Sequence, residues 1–87
     1  MTTVQELKAV LAYINNELKE NAKKNNKKEY TYLLLTKYNG THHIVDYKHN
    51  TDNDEEIYCH GPICNGTYKH LLNYARGLDK AITLFDY

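Results

Sequence analysis

The stretch YTYLLLTKYNGTHHIVDYKH, residues 30–49, decides the fold of this chain. Two runs rich in β-branched, aromatic and aliphatic residues flank Asn39-Gly40. Both central residues of a two-residue type I′ turn need positive φ, which Asn and Gly tolerate best. The stretch therefore predicts a β-hairpin with one register. Its predicted cross-strand pairs are Tyr38 with Thr41, Leu35 with Ile44, Leu34 with Val45, and Tyr32 with Tyr47.

This register divides the hairpin into two faces, because successive side chains of a strand point to opposite sides. One face carries the aliphatic residues Leu33, Leu35 and Ile44. The other carries Tyr30, Tyr32, Leu34, Val45 and Tyr47, with Tyr38 near the turn. Neither face is plainly polar. The sheet is therefore expected either to lie between two layers or to leave a tyrosine-rich surface open.

The residues before the hairpin predict an amphipathic helix over about 3–22. Thr3 and Glu6 have the spacing of a capping box, with Thr3 as the N-cap. Apolar residues then recur at steps of three and four, at positions 4, 7, 11, 14 and 18. Residues 23–28, with four lysines and two asparagines, read as a basic linker.

The residues after the hairpin predict an acidic loop at 50–55, a short third strand at about 56–60 and a second helix at about 67–85. Gly61-Pro62 is expected to end the strand. Asn65 or Thr67 is expected to cap the helix. Gly77 lies off the apolar stripe and either sits within one helix or breaks it. The apolar spacing continues past Gly77, which favours one helix.

Together these elements predict a single small α+β domain with the order α-β-β-β-α. Packing both helices on one face of a three-stranded antiparallel meander gives a two-layer structure. This arrangement is the most economical way for 87 residues to cover their apolar stripes.

Composition narrows the classes of function. Eleven basic and eleven acidic residues cancel, so no overall charge favours nucleic acid or anionic lipid. No apolar run approaches the roughly 20 residues of a membrane helix, and the N-terminus lacks the features of a secretory signal. The two cysteines are then expected to be free thiols in a reducing compartment. The prediction is a cytoplasmic protein that does not associate with membranes.

Metal binding and catalysis are not expected. The side chains that would hold a metal, if any did, are His43, Cys59, His60 and Cys64. The cysteines are spaced C-x4-C with no second close pair, and the neighbours His42 and His43 point to opposite faces of a strand. No nucleophile motif surrounds either cysteine. We therefore predict no metal, no cofactor and no enzymatic activity, and a small zinc or thiol site protein remains the alternative.

The tyrosines are the remaining signal, since tyrosine is enriched at protein interfaces. The candidate partner-binding residues are Tyr30, Tyr32, Tyr38, Tyr47 and Tyr58. Three alternatives compete with an outside protein partner. The first is that the tyrosines only form cross-strand packing pairs, and the second is that a homodimer buries them. The third is that they stack on single-stranded nucleic acid, with Lys23, Lys24, Lys27, Lys28, Lys37 and Lys48 as its phosphate contacts. The neutral charge balance disfavours this last alternative.

The tail segment GTYKHLLNYARGLDKAI, residues 66–82, the Asn/Lys/Tyr-rich composition and the helix–meander–helix layout resemble small orphan proteins of bacteriophages that infect low-GC Gram-positive hosts. Some proteins of this type are small inhibitors of host replication, transcription or defence proteins. The resemblance implies a phage accessory protein with an unidentified binding target. It assigns no role to any residue.

Overall fold

The computed structural model describes the backbone of residues 1–85 and confirms the predicted α-β-β-β-α order. The elements are α1 (Thr3–Lys24), β1 (Glu29–Tyr38), β2 (Thr41–Asn50), β3 (Glu56–Gly66) and α2 (Tyr68–Phe85). The strands form one antiparallel sheet in the order β1-β2-β3. The fold is a two-layer α+β structure.

The hairpin has the predicted register throughout. Asn39 and Gly40 adopt φ angles of 50° and 76°, as a type I′ turn requires. The four predicted cross-strand pairs are all present, and the pairing continues outward to Glu29 and Asn50. The turn residues therefore determine which side chains share each face of the sheet.

Both helices pack against the same face of the sheet, which we call the inner face. The apolar stripe of α1 and the start of α2 meet β1 and β2 there in one core. Its buried members are Leu7, Leu11, Ile14, Leu33, Ile44, Leu71, Leu72 and Ala75. The opposite side, which we call the outer face, has no helix over it. The hairpin contributes Tyr30, Tyr32, Leu34, Thr36, Tyr38, His43, Val45, Tyr47 and His49 to this outer face.

Helix α1 also protects the free edge of β1. The buried side chain of Asn15 accepts a hydrogen bond from the Leu33 backbone N–H at 2.7 Å and donates one to the Leu33 carbonyl at 2.9 Å. Its amide thus satisfies both backbone groups of Leu33, as a neighbouring strand would. This contact holds α1 beside the sheet.

The first helix begins with a capping box, but one residue earlier than predicted. Thr2, and not Thr3, is the N-cap, and Gln5 takes the place expected for Glu6. The Gln5 backbone N–H donates to Thr2 Oγ1 at 3.2 Å, and the Thr2 N–H donates to Gln5 Oε1 at 2.9 Å. Because threonines occupy both positions 2 and 3, the sequence fits a capping box in either register. The helix then ends at Lys24, so two residues of the predicted linker are helical.

Strand β3 is longer than predicted, because Gly61-Pro62 does not end it. It continues to Gly66 as an edge strand, where a residue without an N–H is tolerated. The pairing with β2 shifts three times, which leaves Ile57, His60 and Ile63 without direct partners. Such bulges twist an edge strand and disfavour pairing with another chain.

Helix α2 is continuous across Gly77, as the apolar spacing favoured. Of the two caps considered, Thr67 is the one used. Its hydroxyl oxygen accepts a hydrogen bond from the His70 backbone N–H at 3.2 Å. The helix lies against α1, and Arg76 pairs with Glu6 across the two helices.

Candidate binding surface

The outer face of the hairpin exposes apolar side chains that a covered sheet would bury. Leu34, in the middle of β1, is 42% exposed, and Tyr38, beside the turn, is 69% exposed. Val45 lies directly across from Leu34 and is buried, between Leu34 on β1 and Pro62 on β3 in the register of the sheet. Of the two arrangements that the sequence allowed, the structure has the open tyrosine-rich face.

Four aromatic rings cluster at the end of this face away from the turn. Two adjacent cross-strand pairs, Tyr32 with Tyr47 and Tyr30 with His49, bring them together. The His49 ring stacks on Tyr32, with centroids 4.4 Å apart and planes inclined by 10°. It meets Tyr30 and Tyr47 edge-on, at 5.7 Å and 6.4 Å. His49 is therefore the common contact of the three tyrosines, and offset or edge-on packing of this kind stabilises the cluster.

A hydrogen-bond network closes one side of the cluster. Asp54, in the loop after β2, accepts a hydrogen bond from the Tyr30 hydroxyl and another from Lys19 of α1, both at 2.7 Å. The bond from Lys19, followed by that from Tyr30, lowers the pKa of Asp54. Burial and the hydrogen bond to Asp54 raise the pKa of Tyr30 to about 12. The network thus joins α1, β1 and the acidic loop.

Two shallow, solvent-open cavities meet on this surface. One, of about 270 Å³, is lined by Tyr32, Leu34, Tyr47, His49, Asp54 and Glu56. The other, of about 490 Å³, extends over the edge of β1 and is lined by Asn15, Asn16, Lys19, Tyr30, Tyr32, His49 and Asp54. Three residues, Tyr32, His49 and Asp54, line both. The two cavities therefore form one continuous depression, bounded by aromatic rings and carboxylates.

The side of the smaller cavity nearest β3 carries the carboxylate of Glu56, and the thiol of Cys59 lies next to this side. Glu56 pairs with His49, and Cys59 pairs with Tyr47. Burial, followed by the influence of Cys59 and Glu56, raises the pKa of the Tyr47 hydroxyl. The shift favours the neutral form of the Tyr47 hydroxyl. Both Glu56 and Cys59 are exposed to solvent.

The five tyrosines proposed from the sequence do not form one surface. Tyr32 and Tyr47 are half-buried in the aromatic cluster, and Tyr38 is exposed at the far end of the same face. Tyr30 is only 6% exposed, so it supports the cluster and offers no free surface. Tyr58 pairs with Lys48, which puts it on the inner-face side of the sheet.

Sequence reasoning missed three residues of this surface as partners of the tyrosines: His49, Asp54 and Glu56. The signal for His49 was available, because it lies across from Tyr30 in the predicted register. Asp54 gave no such signal, because its role depends on how the acidic loop folds back toward Lys19, and the path of a loop does not follow from residue spacing. Glu56 gave none either, because the register of β3 against β2 contains bulges that the sequence does not specify.

The side chains considered for metal binding are dispersed. Cys64 pairs with Ile44 on the inner face, while His43 and Cys59 pair with outer-face positions at different points along the sheet. His60 lies in a bulge beside the ring of Tyr58, at 4.9 Å. Among residues 1–85, no three His, Cys, Asp or Glu side chains are grouped to hold a metal ion. Both cysteines are free thiols.

The lysines that the nucleic-acid alternative places on the sheet lie apart from the outer-face tyrosines, and Lys48 instead pairs with the exposed Tyr58 on the inner-face side. Lys37 pairs with His42 and Lys48 pairs with Thr31, so both belong to the inner-face side. Lys27, Lys28 and Lys48 line a separate cavity of about 470 Å³ at the end of α1, where the tyrosine is the buried Tyr30. A groove in which bases stack while lysines follow the backbone needs both groups on one surface.

Comparisons with protein-family models, curated proteins and solved structures gave no match to this chain. Across the described part of the chain, neither helix has both the length and the apolar character needed to cross a lipid bilayer.

Proposed function

We propose that this protein is a non-enzymatic, cytoplasmic binding domain that recognises another protein through the outer face of its hairpin. The observation that carries the proposal is the exposure of Leu34 beside the half-buried cross-strand pair of Tyr32 and Tyr47. A large aliphatic side chain in the centre of a strand is normally covered, and the helices leave this one open. Contiguous apolar surface with a polar rim is typical of interaction sites.

The aromatic cluster supports this proposal, because it makes the surface rigid before binding. The rings of Tyr32 and His49 are stacked, and the hydrogen bond from Tyr30 to Asp54 fixes the neighbouring ring of the cluster. Rigid aromatic side chains lose little conformational entropy when a partner docks. The resemblance to phage proteins suggests the further proposal that this domain is an accessory factor acting on a bacterial host protein.

Site-specific photo-crosslinking tests the proposed surface. A benzophenone amino acid replaces Leu34, and the purified protein is irradiated in a lysate of a low-GC Gram-positive bacterium. We expect a discrete crosslinked product of higher mass, whose partner mass spectrometry identifies. A product with twice the mass of the chain would instead support a homodimer through this face.

Tyr13 provides the matched control position. It is 52% exposed, comparable to Leu34, and lies on α1 in the helical layer. We expect the same benzophenone group at position 13 to give no product of the same mass. Absence of any product from position 34, or identical products from both positions, would contradict the proposed surface.

A further inference from the structure

We propose that the smaller outer-face cavity, lined by Tyr32, Leu34, Tyr47, His49, Asp54 and Glu56, receives an arginine side chain of the partner protein. This inference rests on the proposed function and deepens it, because it states the chemistry of the contact. We call this cavity the aromatic–acidic groove. Its occupant is a positively charged segment of another polypeptide.

Aromatic rings beside a carboxylate are complementary to a guanidinium group. Tyr32 and Tyr47 lie on adjacent strands as a direct cross-strand pair, and both line the groove. A guanidinium plane stacks on a tyrosine ring through cation–π attraction. At the same time its N–H groups donate charge-assisted hydrogen bonds to a carboxylate, here that of Glu56.

Of the two carboxylates that line the groove, Asp54 has a cationic partner among the described residues and Glu56 has none. Asp54 is already paired with Lys19. Within residues 1–85, the ion pairs are Lys19 with Asp54 and Arg76 with Glu6, so Glu56 has no cation of its own. An exposed carboxylate next to half-buried rings attracts a cation from outside the chain.

A second copy of this face does not supply that cation. The outer-face positions of the hairpin contain no lysine and no arginine. The one arginine of the chain, Arg76, lies on α2 in the helical layer and pairs with Glu6. Charge complementarity therefore favours a different, basic polypeptide over an isologous dimer.

The dimensions and the apolar wall also suit a side chain. At about 270 Å³, the groove is smaller than the roughly 300–1,000 Å³ of typical small-molecule sites. Exposed Leu34 borders it and offers apolar contact to the methylene stem of an arginine. The adjoining cavity over the edge of β1 provides room for the flanking residues of the partner.

Titration with two small probes tests the inference. N-acetyl-arginine amide carries the guanidinium, and N-acetyl-citrulline amide has nearly the same shape without the charge. We add each to the ¹⁵N-labelled protein at low salt and follow backbone amide shifts by NMR. We expect saturable shifts at Tyr32, Leu34 and Tyr47 with the arginine probe, weakened by added salt, and much smaller shifts with citrulline.

Two carboxylate variants make the test specific to the groove. Glu56→Gln removes the unpaired charge and is expected to weaken binding of the arginine probe by about threefold to tenfold, the size of an exposed charge-assisted contact. Glu55→Gln removes a neighbouring charge that is also exposed but lies outside the groove, and it is expected to leave binding unchanged. The reference spectra of both variants show directly whether they fold.

The failure of this inference is distinguishable from that of the proposed function. Equal shifts with both probes, no saturable shifts, or equal loss in both variants would overturn arginine recognition. If position 34 still crosslinks to a partner in that case, the protein-binding surface stands without its arginine contact. If position 34 crosslinks to nothing, the proposed function fails regardless of what the small probe does.

Discussion

At the scale of single residues, Asn15 makes the most consequential contact. It lies on the buried side of α1 among aliphatic residues, a position where sequence patterns favour an apolar side chain. Its amide instead satisfies the N–H and C=O of Leu33 at the free edge of β1. Leaving a buried backbone N–H or C=O without a partner costs more free energy than forming its hydrogen bond gains. Loss of the Asn15 amide is therefore expected to destabilise the protein by more than two ordinary hydrogen bonds contribute.

We expect Asn15→Ala to destabilise the protein by about 2–4 kcal/mol, because it leaves two backbone groups of Leu33 unpaired and opens a small gap. Urea unfolding followed by circular dichroism measures the change. Asn16→Ala is the control, since Asn16 is the exposed neighbour in the same helix and alanine is the better helix former. Similar stabilities for the two variants would contradict the role assigned to Asn15.

At the scale of elements, the two outer strands protect their free edges in different ways. Asn15 occupies the edge of β1 at Leu33, in the middle of the strand, while three bulges and Pro62 interrupt the edge of β3. Extension of the sheet by another chain is thus disfavoured on both sides. A partner is therefore expected to bind the outer face of the sheet and not to pair with an edge strand.

Helix α2 contains a position where stability can be gained. Gly77 is exposed within the helix, and a Cβ built there meets no atom within 4 Å other than those of its chain neighbours and the local helix backbone. We expect Gly77→Ala to raise the free energy of unfolding by about 0.5–1 kcal/mol, because alanine restricts the unfolded chain and favours the helix. Thermal and urea unfolding both report this gain.

Gly66→Ala is the contrasting substitution. Gly66 has a φ of 138°, and a Cβ there would lie 2.9 Å from Cδ2 of His70. We expect this variant to be less stable than the unmodified protein, since backbone strain and crowding both oppose alanine. If the two glycine variants changed stability in the same direction, the explanation by local geometry would be wrong.

At the scale of the whole molecule, Asp54 connects parts that are distant in sequence. It joins α1 through Lys19 and β1 through Tyr30, and it lies in the loop between β2 and β3. These bonds lower the pKa of Asp54 in the folded protein below the ordinary value of 3.8. The unfolded chain then binds the proton more readily than the folded one. The stabilisation is complete above that ordinary value and is lost as the pH falls through the lower folded pKa.

We therefore expect the protein to lose stability between pH 7 and pH 3, and Asp54→Asn to lose less over the same interval. Urea unfolding at the two pH values measures both differences. Asp52→Asn is the control, because Asp52 is exposed in the same loop and its carboxylate accepts no hydrogen bond within the described chain. Equal pH dependence in the two variants would show that the Asp54 network does not contribute.

Much of the fold followed from local chemistry. Asn39-Gly40 specified the turn, alternation along β1 and β2 specified the faces, and apolar spacing specified both helices, including continuity through Gly77. The wrong predictions concerned the N-cap of α1, where two capping registers fit the sequence, and the end of β3, where an edge strand tolerates proline. The threonines at positions 2 and 3 allowed two capping registers, and Pro62 was compatible with a strand only because β3 lies at the edge.

The candidate surface was only partly predictable. The sequence alone determined that Tyr32, Leu34, Val45 and Tyr47 share one face, because the period of a strand is two. Only the tertiary structure decided that both helices pack on the other face, that Tyr30 is buried, and that Tyr58 lies on the inner side. It also decided that Asp54 and Glu56 border the aromatic rings. These facts depend on long-range packing and on the path of a loop, which residue spacing does not encode.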